Sequence, residues 1–154
     1  MIVLDNVRSH LNVGSIFRTA DAYRVAKIYL CGITGSPPHR DIQKTALGAT
    51  ETIKWEYMPQ TEDAIAQLKS EGYSIVSVEQ ADSTSMLDQF IPENEKIALV
   101  FGNEVEGVSQ QIINVSDYII EIPQFGTKHS LNIAVSAGIV IWELSKRHFK
   151  HLKL

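Results

Sequence analysis

The chain has 154 residues, of which 44% are hydrophobic, and a formal net charge of -4 at pH 7. This length and apolar content suit one domain with one sizeable core. The acidic balance argues against a protein that coats nucleic acid through bulk positive charge. A single cysteine, Cys31, excludes an internal disulfide, and no Cys and His residues show the spacing of a zinc site. We expect Cys31 to be a small buried residue.

The N-terminal apolar run, Met1 to Leu4, meets Asp5 at once and is too short for the core of a signal peptide. No apolar stretch approaches the roughly 18 residues of a membrane span. The sequence therefore predicts a soluble, cytoplasmic protein.

Six short β-rich apolar runs follow one another along the chain and predict strands. They are Ile2–Leu4, Lys27–Leu30, Ile53–Tyr57, Ser74–Val78, Ile97–Phe101 and Tyr118–Ile122. Helical patterns lie between most of them: Ala64, Ile65 and Leu68 share one helical face, which Gly72 ends. The longest candidate helix is Ile133–Lys146. This alternation predicts an α/β fold, a mostly parallel sheet flanked by helices.

Basic residues gather near both ends of the chain, whereas acidic residues dominate between Glu56 and Glu106. The two basic groups are Arg8, Arg18, Arg24, Lys27, Arg40, Lys44 and Lys54, and Lys146, Arg147, Lys150 and Lys153. If the groups meet in space, they form a local phosphate-binding face. The C-terminal group is equally compatible with a cluster that complements a helix dipole and keeps the surface soluble.

The first informative segment runs from Asn12 to Ala20 and has helical periodicity, with Phe17 directed to the core. Asn12 is a natural N-cap, and the backbone amides after it are suited to hold an anion. Arg18 lies within two turns and offers a planar fork of donors. Taken alone, the segment also fits an ordinary capped helix with one surface arginine.

The second segment, Leu99 to Ser109, is a hydrophobic strand that leads into a loop between Gly102 and Gly107. Two glycines five residues apart suggest close approach to a ligand. A phosphate-binding P-loop has this glycine spacing but continues with Lys and Ser or Thr, whereas Val108 and Ser109 follow here, which excludes an NTPase of that class. No G-x-G-x-x-G follows any predicted strand. An ordinary tight turn remains the alternative.

The third segment runs from Ile122 to Gly138: a strand ends at Pro123, a polar loop follows, and Ser130 or Asn132 caps the long helix. Small residues at the start of that helix allow close approach of another backbone or of a flat ligand. They are equally compatible with ordinary small-residue packing. These residues are Ala134, Ser136, Ala137 and Gly138.

In this order and spacing, the three segments resemble the motifs of the SpoU/TrmH branch of the SPOUT methyltransferases. The resemblance covers nearly the whole chain and is most specific in N-x-G-x-x-x-R, F-G-N-E-x-x-G and I-P-x-x-G-x-x-x-S-L-N. It implies a SPOUT fold with a deep C-terminal trefoil knot, an exception to the rule against threaded chains. It also implies a homodimer whose active site draws on both subunits. Because the first motif begins almost at the N-terminus, we expect residues 1–154 to form a single domain without a separate N-terminal RNA-recognition domain.

The family resemblance implies methylation of a ribose 2'-hydroxyl in tRNA or rRNA, with S-adenosylmethionine as methyl donor and no metal. Arg18 corresponds to the arginine that acts on the 2'-hydroxyl, with Asn12 and Glu104 orienting it, Asn132 shaping the pocket and Ser130 binding a phosphate. Apolar Leu99, Ile122 and Leu131 are suited to the adenine. The residues implied in cofactor binding are Leu99, Val100, Phe101, Gly102, Asn103, Glu104, Gly107, Ile122, Pro123, Gln124, Gly126, Ser130 and Leu131.

A non-catalytic RNA-binding or assembly protein with the same fold is the main alternative. Binding alone does not require Asn12, Arg18, Glu104 and Ser130 together, which argues against it. Methylation of a base or of a protein is disfavoured because the Arg18 motif is typical of the ribose-modifying branch. The sequence does not identify the RNA or the nucleotide.

Overall fold

The computed structural model describes residues 1–81, 84–127 and 130–149, with side chains up to Lys146. Its strands are β1 (Ile2–Asp5), β2 (Lys27–Cys31), β3 (Lys54–Met58), β4 (Ser74–Val78), β5 (Ser85–Met86), β6 (Ile97–Phe101) and β7 (Tyr118–Glu121). Its helices are α1 (His10–Ala22), α2 (Arg40–Ala46), α3 (Ala49–Thr52), α4 (Thr61–Ser70), α5 (Gln110–Val115) and α6 (Ile133–Phe149).

The strands form one sheet in the order β3-β2-β1-β6-β4-β7-β5, and every pairing is parallel. Side chains alternate between its two faces. Ile2 and Leu4 join a core cluster with α1, α2 and α6, whereas Val3 between them joins a second cluster with α4 and α5. The predicted parallel α/β sheet flanked by helices is therefore confirmed. The C-terminal knot stays a prediction of the family resemblance.

The six predicted strands are confirmed to within a residue or two at each end. The two-residue strand β5 was not predicted, because Ser85 and Met86 lack any alternating apolar pattern. Gly72 adopts a left-handed φ of 82° just beyond α4, as expected for a glycine after a helix. Cys31 is buried, and burial raises the pKa of its thiol to about 12.

The start of α1 corrects the predicted N-cap. The cap is Ser9, whose Oγ accepts a hydrogen bond from the Asn12 backbone N–H, so Asn12 lies within the first turn. Gly14 has a packing role there: a Cβ on it would lie 2.3 Å from the carbonyl oxygen of Ile42 and still closer to Thr45 Oγ1. Glycine at this position therefore lets α2 pack directly against the α1 backbone.

Helices α1 and α6 run side by side in the same direction. Asn132, just before α6, donates a hydrogen bond to Asn12 near the start of α1, and the Trp142 ring lies 6.0 Å from the ring of Tyr23 beyond the end of α1. Of the C-terminal basic group, Lys146 is the residue whose side chain the structure describes. Its Nζ forms an ion pair with Glu143 at 2.6 Å. Arg147, Lys150 and Lys153 lie outside the described side chains.

Within residues 1–81, 84–127 and 130–149, no helix combines the length and the apolar character needed to cross a membrane.

Candidate active site

A cavity of about 430 Å³ opens at the carboxyl ends of β4, β6 and β7. Ligands of open α/β sheets bind in this position, where the loops that leave neighbouring strands diverge. Its walls come from the segments 78–80, 101–104, 120–122 and 130–133, together with Gly107, Gln124 and Ser136. The second and third sequence motifs therefore meet around one cavity.

The loop after β6 folds back on itself. Asn103 and Gly107 exchange two backbone hydrogen bonds of 2.9 Å, and a Cβ on Gly102 would lie 2.1 Å from the carbonyl carbon of Gly107. The two glycines therefore allow close contact between the two ends of the loop. The tight turn is therefore confirmed; because both glycines also line the cavity, their approach to a ligand stays a prediction.

The side chain of Glu79, directly after β4, holds the far end of this loop by a hydrogen bond. Glu79 Oε2 accepts the backbone N–H of Val108 at 2.9 Å, and Oε1 accepts the N–H of Gln80 at 2.9 Å. Gly107 has a φ of 72°, and a Cβ on it would overlap the Glu79 carboxylate. Since Glu79 lines the cavity and holds the loop beside it, this residue sets the shape of the cavity wall.

Glu104 binds the amino end of α1. Its carboxylate accepts the backbone N–H groups of Arg8 and Ser9, both at 2.9 Å, and Asn12 Nδ2 at 3.1 Å. Burial opposes ionisation of this group, but these hydrogen bonds outweigh burial and lower the pKa of Glu104. The anion site predicted at the amides after Asn12 is wrong, because Val13 N–H already donates to the Ser9 carbonyl oxygen, and Glu104 binds the amides of Arg8 and Ser9 before the helix.

Asn12 connects the first motif to the third. Its Oδ1 accepts a hydrogen bond from Asn132 Nδ2 at 3.1 Å, while its Nδ2 donates to Glu104. Asn132 also caps α6, because its Oδ1 accepts the Ala134 N–H at 2.9 Å. This confirms Asn132 rather than Ser130 as the cap. The chain of hydrogen bonds Glu104–Asn12–Asn132 therefore joins all three motifs at the mouth of the cavity.

Arg18 stands apart from this network. It is exposed, it does not line the cavity, and in the described part of the chain its side chain forms no hydrogen bond or ion pair. Glu104 and Asn12 bind each other and the helix terminus, which corrects the prediction that they orient Arg18. Leu11, Arg18 and Ala22 are all exposed and lie on one face of α1.

Most of the residues predicted to bind the cofactor line the cavity. They are Phe101, Gly102, Asn103, Glu104, Gly107, Ile122, Gln124, Ser130 and Leu131. Leu99 lines a smaller cavity at the opposite edge of the sheet, beside Met1 and Ile141, and Val100 is fully buried. This corrects the placement of Leu99 against the adenine. Leu99 lies two residues before the end of β6, and its side chain packs in the core cluster on one face of the sheet. Pro123 and Gly126 also lie outside the cavity lining.

Five residues outside the three motifs also line the cavity: Val78, Glu79, Gln80, Ile120 and Glu121. A signal for all five was present, because the predicted strands end at Val78 and Ile122 and the carboxyl ends of parallel strands share one edge. In the described segments, no group of three His, Cys, Asp or Glu residues is arranged to hold a metal ion.

The SpoU rRNA Methylase family profile matches residues 1–142. Among curated proteins, an uncharacterized tRNA/rRNA methyltransferase of Borreliella burgdorferi is 29% identical over 96% of this chain and 64% of its own length. The 23S rRNA (guanosine-2'-O-)-methyltransferase RlmB of Neisseria meningitidis is 28% identical over 96% of this chain and 58% of its own length. This chain thus spans about three fifths of these relatives.

Among solved structures, the AdoMet-bound rRNA methyltransferase of Sinorhizobium meliloti superimposes with a TM-score of 0.89 at 29% identity, covering 99% of this chain and 56% of that one. The match of the profile to most of the chain agrees with the three motifs that the cavity brings together. The chain belongs to the SpoU rRNA methylase family.

Proposed function

We propose that the protein methylates a ribose 2'-hydroxyl in tRNA or rRNA, using S-adenosylmethionine. The observation that carries this proposal is the Glu104–Asn12–Asn132 network, which gathers the three family motifs at one cavity. The names of the Neisseria relative and of the Sinorhizobium structure support the ribose position and the cofactor, respectively.

The cavity suits the proposed cofactor. Its volume of about 430 Å³ lies within the usual range of ligand pockets. Ile122 and Leu131 offer apolar walls for a flat base, and the loops around them expose backbone donors and acceptors. Glu79 and Glu121 place carboxylates on the walls, which complement the sulfonium and ammonium charges and accept hydrogen bonds from ribose hydroxyls. When bound, the cofactor supplies an electrophilic methyl group.

Arg18 acts on the RNA. A guanidinium stays protonated at working pH, so Arg18 is a donor and not a general base. Its planar fork grips a phosphate next to the reacting nucleotide and stabilises the negative charge that develops on the 2'-oxygen. The proton of the hydroxyl then leaves to a phosphate oxygen or to water. Ser130, exposed at the cavity rim, is placed to donate to a second phosphate.

The remaining motif residues position the two halves of the site. Glu104 holds the first turn of α1, while Asn12 and Asn132 fix that turn against the start of α6. These contacts fix α1, the helix that carries Arg18, against α6 and the cavity wall of the same chain. Positioning of this kind supplies much of the acceleration of an in-line displacement.

We further propose a homodimer with a composite active site. Val135, Ile139 and Trp142 form an apolar stripe on α6 with exposed fractions of 51%, 38% and 51%. This stripe lies beside α1, the helix that carries Arg18. A second copy that covers the stripe removes apolar surface from water and brings the Arg18 of one copy near the cavity of the other.

The test is methyl transfer to RNA. Purified protein is incubated with unmethylated total RNA and methyl-labelled S-adenosylmethionine, and the RNA is digested to nucleosides. We expect the label in a 2'-O-methylated nucleoside. Ser136→Tyr, which places a large side chain in the cavity, is the matched loss-of-function control. Label on a base would contradict ribose methylation. Protein that binds RNA in the absence of the cofactor, and transfers no methyl group when the cofactor is added, would favour the assembly-protein alternative.

A further inference from the structure

Two histidine rings stack next to the candidate active site. The rings of His10 and His39 lie 3.8 Å apart with an angle of 9° between their planes. Gly35 leaves the space for this arrangement, because a Cβ there would lie 2.2 Å from His10 Cδ2. The backbone N–H of Asp41 donates to His39 Nδ1 at 3.2 Å, which fixes the orientation of the second ring. Both rings are partly exposed.

Exposed cations flank the stacked pair. Arg8 lies two residues before His10, Arg40 directly follows His39, and Lys44 lies one turn further along α2. In the described part of the chain, none of these three side chains has a hydrogen-bond or ion-pair partner. Asp41, in the first turn of α2, and Glu104, which accepts the Arg8 N–H, are acidic residues next to this surface. We call Arg8, His10, His39, Arg40 and Lys44 the basic strip.

The basic strip differs in charge from the rest of the molecule. Residues 1–48 contain six Lys and Arg against three Asp and Glu, whereas the remaining residues contain eight against fifteen. One of the three acids, Asp5, is buried and accepts hydrogen bonds from Thr61 and Ser109. Three of these six cations, Arg8, Arg40 and Lys44, belong to the basic strip, which is thus a local positive surface on an acidic protein and attracts a polyanion there.

The basic strip is continuous with the cavity. The backbone N–H of Arg8 binds Glu104, a cavity-lining residue, and His10 begins α1 directly after Ser9, the next partner of Glu104. The strip therefore begins next to a residue of the cavity lining.

We propose that the basic strip binds a single-stranded segment of the substrate RNA next to the nucleotide in the cavity. Arg8, Arg40 and Lys44 contact backbone phosphates, and the stacked imidazoles offer a flat face for an unpaired base. Stacking on histidine is a common mode of single-stranded RNA recognition, and a duplex does not present its base faces in this way. This proposal rests on the proposed function, because it assumes that the cavity accepts a nucleotide of RNA.

The test compares variants of the strip with a matched control in binding to a labelled short oligoadenylate and to unfractionated tRNA, with S-adenosylhomocysteine present. Each phosphate contact with single-stranded RNA contributes about fivefold to affinity at about 0.1 M salt. We therefore expect Arg40→Ala with Lys44→Ala to raise Kd about 25-fold and to reduce the slope of log Kd against log salt by about 1.4. Lys54→Ala removes an exposed cation at the amino end of β3, outside the strip. It should leave the Kd and the salt slope unchanged.

His39→Asn separates stacking from charge. Asparagine keeps an acceptor for the Asp41 N–H and deletes the ring, so α2 retains its cap. We expect about a fivefold or greater rise in Kd for oligoadenylate, with no change in salt slope. Unchanged melting temperature and unchanged S-adenosylhomocysteine affinity verify that the variants are folded.

Three outcomes overturn the proposal. Strip variants that bind RNA as Lys54→Ala does would exclude the strip as an RNA surface. Equal weakening of RNA and polyglutamate binding, with no effect of His39→Asn, would indicate a general anion surface. Stronger binding to duplex than to single-stranded RNA would exclude stacking. If wild-type protein binds oligoadenylate through the strip but transfers no methyl group, the proposed function fails and the strip proposal is retained. If wild-type protein is active but the strip variants bind RNA as well as wild type does, the strip proposal fails and the proposed function is retained.

Discussion

Two motif residues, Glu104 and Arg18, illustrate two different uses of charge in the same site. The Glu104 carboxylate accepts hydrogen bonds from three donors at the amino end of α1, the backbone of Arg8 and Ser9 and the side chain of Asn12. Arg18 on that helix has no partner among the described residues. A charge with internal partners organises the fold. A charge that the fold leaves exposed and unpaired is available to a ligand.

The largest expected effect comes from the unpaired charge. Arg18→Ala should lower methyl transfer at least ~100-fold, the scale of losing one preorganised donor to the transition state, with cofactor affinity unchanged. Arg18→Lys should also cause a large loss, because lysine keeps the charge but not the planar fork. Single-turnover rates and calorimetric titration with S-adenosylhomocysteine measure the two effects. Near-full activity of Arg18→Lys would show that charge alone is sufficient.

An intermediate effect is expected at Glu79, which lines the cavity and also holds the loop after β6. Glu79→Ala should weaken S-adenosylhomocysteine binding about tenfold, the scale of a lost hydrogen bond to a charged group. Turnover at saturating cofactor should change little. Glu106→Ala removes the same charge from an exposed site in the same loop and serves as the control. Equal effects of the two substitutions would indicate net charge rather than the Val108 contact.

The smallest effect is expected at Glu104, the charge with internal partners, and it depends on pH. Because the folded-state pKa of Glu104 is lowered, its contribution to stability is present above the unfolded-state pKa of about 4.3 and is lost as the pH falls through the folded-state value. Glu104→Gln should reduce the free energy of unfolding by at most about 1 kcal/mol at pH 7. Thermal melting of the wild type and of Glu104→Gln over a series of pH values from 7 downward checks this. A difference between the two that does not shrink as the pH falls would contradict the charge-based explanation.

The sequence was sufficient to predict six of the seven strands of the sheet, because each of the six is a short apolar run bounded by turn residues, whereas β5 is not. It also identified Asn12, Glu104 and Asn132, but not their contacts with one another. Those contacts join residues 92 and 120 positions apart, which only the crossover topology brings together. The role of Gly14 was hidden for the same reason, since its neighbour is the backbone of α2.

Charge patterns were harder to interpret. Glu79 and Glu104 follow β4 and β6, and Glu121 ends β7, so all three acids lie around one cavity although they are dispersed in the sequence. The stacking of His10 on His39 likewise joins a helix start to a distant loop. A motif defines which residue types are present, while the topology determines which of them remain free for a ligand.

Mixing two inactive variants tests the composite site most directly. Arg18→Ala keeps an intact cavity, and Ser136→Tyr keeps Arg18 but fills the cavity. If the Arg18 of one copy serves the cavity of the other, subunit exchange in an equal mixture creates one working site in each mixed dimer, and about a quarter of wild-type methyl transfer should return. Adding Ile139→Glu to both chains, which places a charge in the apolar stripe of α6, should abolish that recovery. No recovery in a mixture shown to contain mixed dimers would contradict the account and place Arg18 at the cavity of its own chain.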